Sequence, residues 1–364
     1  MRHIKDSDYI MMDLESYKII LSKYSITDCA VATKDVFVFI ISEILTDEEI
    51  EYYEENDYDL DYRPKKLVTF LRKGDSQGRH WVQDHLIGWD TPRIGACNKP
   101  RNHSITLEIS TRLDHQAFIT GNGPAEKMLF PPRVAKNGVP LGGFVRGGIR
   151  RTKTIDGWAY AVGGNRTLGK FLDKDQWQTL NKNLPKMPKE QMESFLDSGF
   201  EDIDGFSETD IYTAGGHGDV WHFDGENWTP IPFPSNDPLE SLCCAGDGYV
   251  YISGYQGITF KGRGDHWTII NRYGITLGFR DMVWHKDRVY CTSDYGLWEI
   301  VDDKVQRADV PDEITACSGH LYANNGVMLL AGLGGAAFCE DGEWTLLFNS
   351  STMDTLVELE ALKQ

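Results

Sequence analysis

The sequence has no long apolar stretch and no apolar segment at its start. The longest purely apolar run near the N-terminus, Val36 to Ile41, is far shorter than the roughly 20 residues that span a bilayer. The first residues mix charges where a secretory signal would have an apolar core. These absences exclude an obvious signal peptide or membrane anchor, and they predict a protein that does not associate with membranes.

Cysteine is scarce and irregularly placed. The seven cysteines are odd in number, and no two of them have the CxxC spacing of a structural zinc site. Several lie in apolar, strand-like stretches, where cysteine acts as a small buried hydrophobic residue. Free buried cysteines are typical of reducing compartments, so the sequence predicts a cytoplasmic protein.

Catalytic motifs and an excess of basic charge are also missing. No GxSxG, HExxH or P-loop sequence occurs, and the ten histidines are scattered. We therefore predict no catalytic residue, no metal site and no cofactor. With 55 acidic against 37 basic side chains, the net charge of −18 disfavours direct binding to nucleic acid and favours a basic partner.

The second half of the chain contains a repeated pattern. Four segments begin at Ile211, Val250, Val289 and Met328, and their second residues are each 39 apart. Each segment contains a β-branched and aromatic stretch, a Gly-rich turn, a second strand and a polar turn. A period near 40 with about four strands indicates a propeller blade. The fold class is therefore all-β, a single propeller over residues 1–364.

Earlier units follow the pattern more loosely. Tyr160 lies one unit and an insertion before Tyr212, and Phe118 lies about one period before Tyr160. The first unit starts with DVFVFIIS and resumes at Lys65. The total predicts seven four-stranded blades, with six or eight as alternatives.

The unit at Ile211 resembles a kelch repeat, because it combines a Gly-Gly pair (Gly215, Gly216) with Trp221, Trp228 and a proline. Its length is also similar to that of WD40 repeats. The resemblance implies a ring of blades around a channel, used as a binding platform or an enzyme scaffold. It assigns no function by itself.

Four segments depart from the repeat. Residues 1–24 are predicted to latch the propeller, with YKIILS from Tyr17 adding a strand to the last blade. Residues 184–199 are predicted to contain a helical insertion, and residues 350–364 a C-terminal helix capped near Ser351. Residues 43–63 form an acidic insertion in the first blade.

From Glu43 to Asp61 the acidic insertion holds ten carboxylates, and this stretch contains no lysine or arginine. Without them the chain would carry 45 acidic against 37 basic side chains. Thr46 is placed to cap a short helix, whose acids would then be an ordinary solvated face. In the functional interpretation, the acids and tyrosines dock onto a basic cleft. A calcium loop is a third alternative, without EF-hand spacing. The predicted binding residues are Asp47, Glu48, Glu49, Glu51, Tyr52, Tyr53, Glu54, Glu55, Asp57, Tyr58, Asp59 and Asp61.

Divergent cytosolic propellers without a catalytic motif are similar to bacterial immunity proteins, which neutralise toxins delivered by neighbouring cells. This resemblance implies a non-enzymatic inhibitor that occludes the active site of a basic toxin, such as a nuclease. We expect a monomer when the protein is free. The alternative is a carbohydrate-active hydrolase or lyase, with Asp202, Asp204 and Asp281 in the propeller channel. The Gly-rich basic run from Gly142 to Arg151 is predicted to be a closely packed inner strand, with anion binding as its alternative.

Overall fold

The computed structural model describes residues 12–108, 116–120, 125–128, 143–187, 199–272 and 274–363. Its strands occur in seven consecutive groups of four, and each group forms one sheet in which sequence neighbours pair. The predicted propeller of seven four-stranded blades is confirmed.

The strands of the first three blades have the following bounds. Blade 1 contains β1 (Tyr24–Thr33), β2 (Val36–Glu43), β3 (Lys65–Leu71) and β4 (Trp81–Leu86). Blade 2 contains β5 (Arg93–Cys97), β6 (His103–Glu108), β7 (Gln116–Thr120) and β8 (Glu126–Lys127). Blade 3 contains β9 (Ile149–Ile155), β10 (Trp158–Gly163), β11 (Thr167–Asp173) and β12 (Gln176–Thr179).

The remaining blades follow without a break in order. Blade 4 contains β13 (Asp202–Ser207), β14 (Asp210–Ala214), β15 (Trp221–Phe223) and β16 (Trp228–Pro230). Blade 5 contains β17 (Leu239–Cys244), β18 (Val250–Gly254), β19 (Thr259–Arg263) and β20 (His266–Asn271). Blade 6 contains β21 (Asp281–His285), β22 (Arg288–Ser293), β23 (Gly296–Val301) and β24 (Lys304–Arg307). Blade 7 contains β25 (Gly319–Asn324), β26 (Val327–Gly332), β27 (Gly335–Glu340) and β28 (Glu343–Asn349).

In the described part of the chain, four α-helices accompany the blades: α1 (Leu14–Ile20), α2 (Asp47–Glu55), α3 (Asp312–Thr315) and α4 (Ser350–Ala361). Within the described ranges, none of them has the length and apolar character needed to cross a bilayer. The predicted C-terminal helix is confirmed as α4, although Asn349 caps it through a bond from the Thr352 N–H. Most of the predicted helical insertion at 184–199 lies outside the described residues.

The chain divides into two compact units. Unit 1 comprises the described parts of Met1–Asp90, Thr292–Leu297 and Ala308–Gln364, and unit 2 those of Thr91–Cys291 and Trp298–Arg307. In unit 2 the first strands β5, β9, β13, β17 and β21 contact one another in succession. In unit 1 β1 contacts β25, and the rings of Phe37 and Phe338 lie 5.1 Å apart.

Tight turns and buried strands explain why these residues form blades. β2 has an almost continuous apolar sequence, VFVFIISE, and its interior positions are buried. Asp156 and Gly157 both have positive φ between the paired residues Ile155 and Trp158. An Asp-Gly pair in this conformation is typical of a two-residue hairpin turn. Blade 3 therefore begins with a hairpin that its sequence predicts.

The repeat alignment is correct from blade 3 onward and wrong in blade 2. Tyr212, Tyr251, Tyr290 and Leu329 all lie on the second strands of their blades, and Tyr160 lies on the second strand of blade 3. Phe118 lies on β7, the third strand of blade 2. Adjacent strands of a blade have similar apolar compositions, so a period measured on a single aromatic residue does not distinguish them.

The prediction that YKIILS adds a strand to the last blade is wrong. These residues belong to α1 and the turn after it, with Asp13 as the N-cap. Tyr17, Ile20 and Leu21 are buried because their spacing places them on one helical face. Tyr17 donates a hydrogen bond to Asp354 Oδ1 at 2.8 Å, so α1 packs against α4.

Candidate protein-binding surface

The acidic insertion joins β2 to β3 and contains α2, which begins where the sequence predicts. The Glu49 N–H donates to Thr46 Oγ1 at 3.3 Å, and the Thr46 N–H donates to Glu49 Oε2 at 2.8 Å. This reciprocal capping box satisfies two amide groups that a helix start would leave unpaired. The bond from the Thr46 N–H lowers the pKa of the Glu49 carboxyl. The helix is therefore stabilised locally, without burial of any of its residues.

The carboxylates of the insertion face solvent. Nine of the ten are exposed, and only Glu43 is partly buried. Among the residues that the structure describes, none of the ten forms an ion pair with a lysine, arginine or histidine. Uncompensated charges of one sign add to a negative potential that extends into solvent. The insertion thus presents a negative surface in which most of the carboxylates face solvent.

Three of the four tyrosines of the insertion form one cluster. Their ring centroids are 6.4 Å apart for Tyr52 and Tyr53, 6.2 Å for Tyr52 and Tyr58, and 6.0 Å for Tyr53 and Tyr58. Tyr52 and Tyr58 remain more than half exposed. Clustered tyrosines offer apolar area and hydroxyl groups at a low cost in conformational entropy. The predicted aromatic residues therefore form a single cluster that is available for contact with a partner.

The end of the insertion is attached to the loop that follows β4. Lys65 Nζ donates to the carbonyl oxygens of Asp61 and Trp89, the second at 3.3 Å. Carboxylate oxygens of Asp59, Asp61 and Asp90 lie within 4.8 Å of one another. Asp90 is distant in sequence, and only the fold reveals that it extends the predicted acidic set.

The carboxylates considered as a catalytic pair form an ion network between first strands of unit 2. Lys153 on β9 lies 3.3 Å from Asp202 Oδ2 and 3.9 Å from Asp204 Oδ2, and it donates to the Leu242 carbonyl at 2.6 Å. Arg151 on the same strand pairs with Asp281 and lies 3.5 Å from Asp202. Each of these acids thus has a basic partner on β9.

Electrostatics within this network favour structural roles. Burial alone would lower the pKa of Lys153, but the Asp202 and Asp204 carboxylates outweigh it and raise that pKa above its usual value. Burial raises the pKa of Asp204, against the opposing effect of Lys153. Asp202 also accepts from the Leu242 N–H at 2.8 Å, and Asp204 from the Cys244 N–H at 2.9 Å. Asp202 and Asp204 therefore bind basic side chains of β9 and backbone N–H groups of β17.

Replacing Asp202 with alanine should lower the free energy of unfolding by about 3 kcal/mol, because Lys153 would lose its nearest buried counter-charge. Denaturant unfolding followed by fluorescence measures this change. The matched control is Asp265→Ala at an exposed turn position, expected to cost no more than about 0.5 kcal/mol. Equal losses in the two variants would contradict a structural role for the network.

The prediction of an inner strand holds only for the end of the Gly-rich basic run, since Ile149 to Arg151 lie on β9. Residues 143–148 precede this strand, and Gly142 lies outside the described residues. Arg146 donates to the Leu184 carbonyl at 3.0 Å, Arg150 pairs with Glu201, and Arg151 with Asp281. A Cβ atom on Gly163 would lie 1.8 Å from the Gly148 oxygen, so only glycine allows this close approach. These arginines are bound within unit 2 and do not form a separate basic surface.

Comparison with solved structures identifies the architecture. The chain superimposes on the WD40 beta propeller domain of Doa1 with a TM-score of 0.51 and 10% identity, covering 87% of this chain and 93% of that one. Its fold is that of a β-propeller. It also matches PorZ, a bacterial surface component of the type-IX secretion system of Porphyromonas gingivalis, with a TM-score of 0.53 and 10% identity, over 90% of this chain and 38% of PorZ. At these identities the likeness concerns the fold alone.

Sequence comparison gives a more specific relative. No protein-family model matches the chain. It is 29% identical over 245 residues to the immune protein Tsi7 of Pseudomonas aeruginosa, which covers 67% of this chain and 76% of Tsi7. The similarity therefore extends over most of this chain and most of Tsi7.

Proposed function

We propose that this propeller is an immunity protein, which binds a toxin and neutralises it without catalysis of its own. The observation that carries the proposal is its similarity to the immune protein Tsi7 over 245 residues. The ion pairs of Asp202 on β13 with Arg151 and Lys153 on β9 agree with a binding role. The expected complex contains one propeller and one toxin.

The charge of the insertion supports a basic toxin as the partner. α2 carries six carboxylates in nine residues, which at about 1.5 Å per residue is one charge per about 2.3 Å of axis. Duplex DNA carries one charge per about 1.7 Å. Because these densities are similar, a cleft that binds a phosphate backbone would also attract α2. We therefore infer that the toxin is a nuclease, and that α2 occupies its substrate cleft.

The free state of the cysteines supports a cytoplasmic location. None of the seven cysteines forms a disulfide, and six are buried. Burial raises the pKa of the Cys97 thiol to about 12, which keeps it in the unreactive protonated form. A chain without disulfides suits a reducing compartment, where a cytoplasmic nuclease would meet its substrate.

The probe for the proposal is a candidate toxin, a protein encoded by a gene adjacent to that of this protein. Co-expression with this protein should restore growth to cells that produce the toxin, and the two purified proteins should bind each other. Failure of both would overturn the immunity role. Binding without protection would contradict occlusion of the active site.

Salt dependence tests the electrostatic part of the proposal. The dissociation constant should rise at least about tenfold between about 50 mM and 500 mM NaCl, because salt screens solvent-exposed charges. Titration calorimetry at several salt concentrations measures this change. A short DNA duplex should compete with this protein for the toxin. A salt-independent affinity would contradict a basic partner, and absence of competition would contradict a nuclease cleft.

A further inference from the structure

The connection between the second and third strands is equivalent in every blade. In blade 1 this connection is the acidic insertion, in blade 6 it is the turn at Tyr295, and in blade 7 it is the turn at Leu333. All three belong to unit 1. In an antiparallel meander, this second connection lies at the opposite end of the blade from the first and third turns.

Hydrogen bonds place these three connections at one end of unit 1. The Gly319 N–H donates to Thr292 Oγ1 at 3.4 Å, and Gly319 pairs with Gly332, the residue before Leu333. The turns at Tyr295 and Leu333 are therefore at the same end.

Blade 1 has the same orientation as blade 7. Asn324 Nδ2 donates to the Val31 carbonyl at 2.9 Å, which joins the first turns of these blades. Arg72, which follows β3, pairs with Glu340 at the end of β27 at 2.8 Å. Both contacts lie at the end remote from Leu333. The acidic insertion therefore shares the end that carries Leu333, which we call the insertion end.

Exposed apolar side chains of unit 1 concentrate at the insertion end. Ile87, which follows β4, is 85% exposed, Tyr295 is 70% exposed and Leu333 is 69% exposed. The helix α4 begins there as well, since the Ser350 N–H donates to the Gly334 carbonyl at 3.0 Å. The large exposed apolar residues of unit 1, within the described ranges, are Ile19, Ile44, Tyr52, Tyr58, Ile87, Tyr295, Leu333, Leu356, Leu359 and Leu362. Of these ten, Ile44, Tyr52 and Tyr58 lie in the insertion, and Ile87, Tyr295 and Leu333 lie beside strand termini at this end. Leu356 and Leu359 lie on α4, Leu362 directly follows α4, and Ile19 lies on α1.

Concentrated apolar side chains mark protein interfaces. A second copy of this chain is disfavoured as the occupant, because a two-fold dimer brings the same patch of each copy together. The two acidic insertions would then repel each other. A basic partner avoids this repulsion and is attracted by the same charges.

We propose that the insertion end is a toxin-binding surface in which two kinds of side chain have separate kinetic roles. The carboxylates of the insertion accelerate association through long-range attraction. Tyr295, Leu333 and Ile87 slow dissociation by burying apolar area in the complex. The partner is a basic toxin whose positive cleft is bordered by apolar side chains. This inference rests on the proposed function and extends it to residues outside the insertion.

The test is a kinetic measurement on immobilised toxin encoded by the adjacent gene. The double variant Tyr295→Ser, Leu333→Ser should raise the dissociation rate at least about tenfold and leave the association rate within about twofold. Ile87→Ser should act in the same direction. The matched control is Tyr249→Ser, at a 46% exposed position of unit 2, which should change neither rate. Melting temperatures of all variants verify that they fold.

The outcomes separate this inference from the proposed function. If the wild-type protein binds with the expected salt dependence but the double variant dissociates at the wild-type rate, the inference is overturned and the proposed function stands. If the wild-type protein does not bind the toxin, both are overturned. A wild-type dimer that the double variant converts to a monomer would assign the surface to self-association and would also overturn the inference.

Discussion

The triple variant Glu51→Lys, Glu54→Lys, Glu55→Lys should bind the toxin about 100-fold more weakly than the wild-type protein. Three attractive charges become repulsive, and like charges across an interface cost several kcal/mol. A 100-fold change corresponds to about 2.8 kcal/mol. The substitutions leave the Thr46–Glu49 capping box intact, and lysine near a helix C-terminus suits the helix dipole. Titration calorimetry and a growth-protection assay measure the effect.

The control for this variant carries the same change in net charge elsewhere. Glu226, Asp265 and Asp302 occupy exposed turns between the third and fourth strands of blades 4, 5 and 6. Their replacement by lysine should reduce the affinity for the toxin much less, because it weakens only the overall negative potential of the protein. Equal losses in the two triple variants would show that net charge, and not the insertion, attracts the toxin.

The repeat was predictable because each blade is an independent copy of one pattern. The second strands β14, β18, β22 and β26 carry an aromatic or leucine residue every 39 positions, and tight turns hold that spacing. The start of α2 was predictable because Thr46 and Glu49 are three residues apart. Both signals are local, so they can be recognised in the sequence without knowledge of tertiary contacts.

The remaining features depend on contacts between distant residues. Arg151 and Asp281 are 130 positions apart, and no sequence pattern indicates that they pair. Asp90 joins Asp59 and Asp61 only because Lys65 attaches the insertion to Trp89. Tyr295 and Leu333 are single residues in short turns, and their common end is defined by the pairing of whole strands. The acidic part of the surface was therefore predictable, whereas its apolar part was not.

Deleting residues 1–22 should lower the free energy of unfolding by at least about 5 kcal/mol. The deletion removes the buried side chains of Met12, Tyr17, Ile20 and Leu21, and burial of each such side chain contributes about 1.5–3 kcal/mol. It also exposes the ring of Phe348, which lies 6.1 Å from that of Tyr17. Although α1 is not the predicted strand, the prediction that this segment latches the fold remains and is tested by the deletion. The melting temperature should fall by about 6 °C or more.

Point variants distinguish the contributions of α1. Tyr17→Ala should cost about 3–5 kcal/mol, whereas Tyr17→Phe removes only the hydrogen bonds from the hydroxyl to Asp354 and to the Ser350 carbonyl and should cost about 1 kcal/mol. Lys18→Ala removes an exposed ion pair with Glu360 and should be nearly neutral. Amide exchange in β28 and α4 should accelerate in the deletion variant, because α1 packs against α4 and the Phe348 ring of β28. An unchanged melting temperature and unchanged exchange would contradict a latch, since the deletion removes the side chains that pack against α4 and the Phe348 ring.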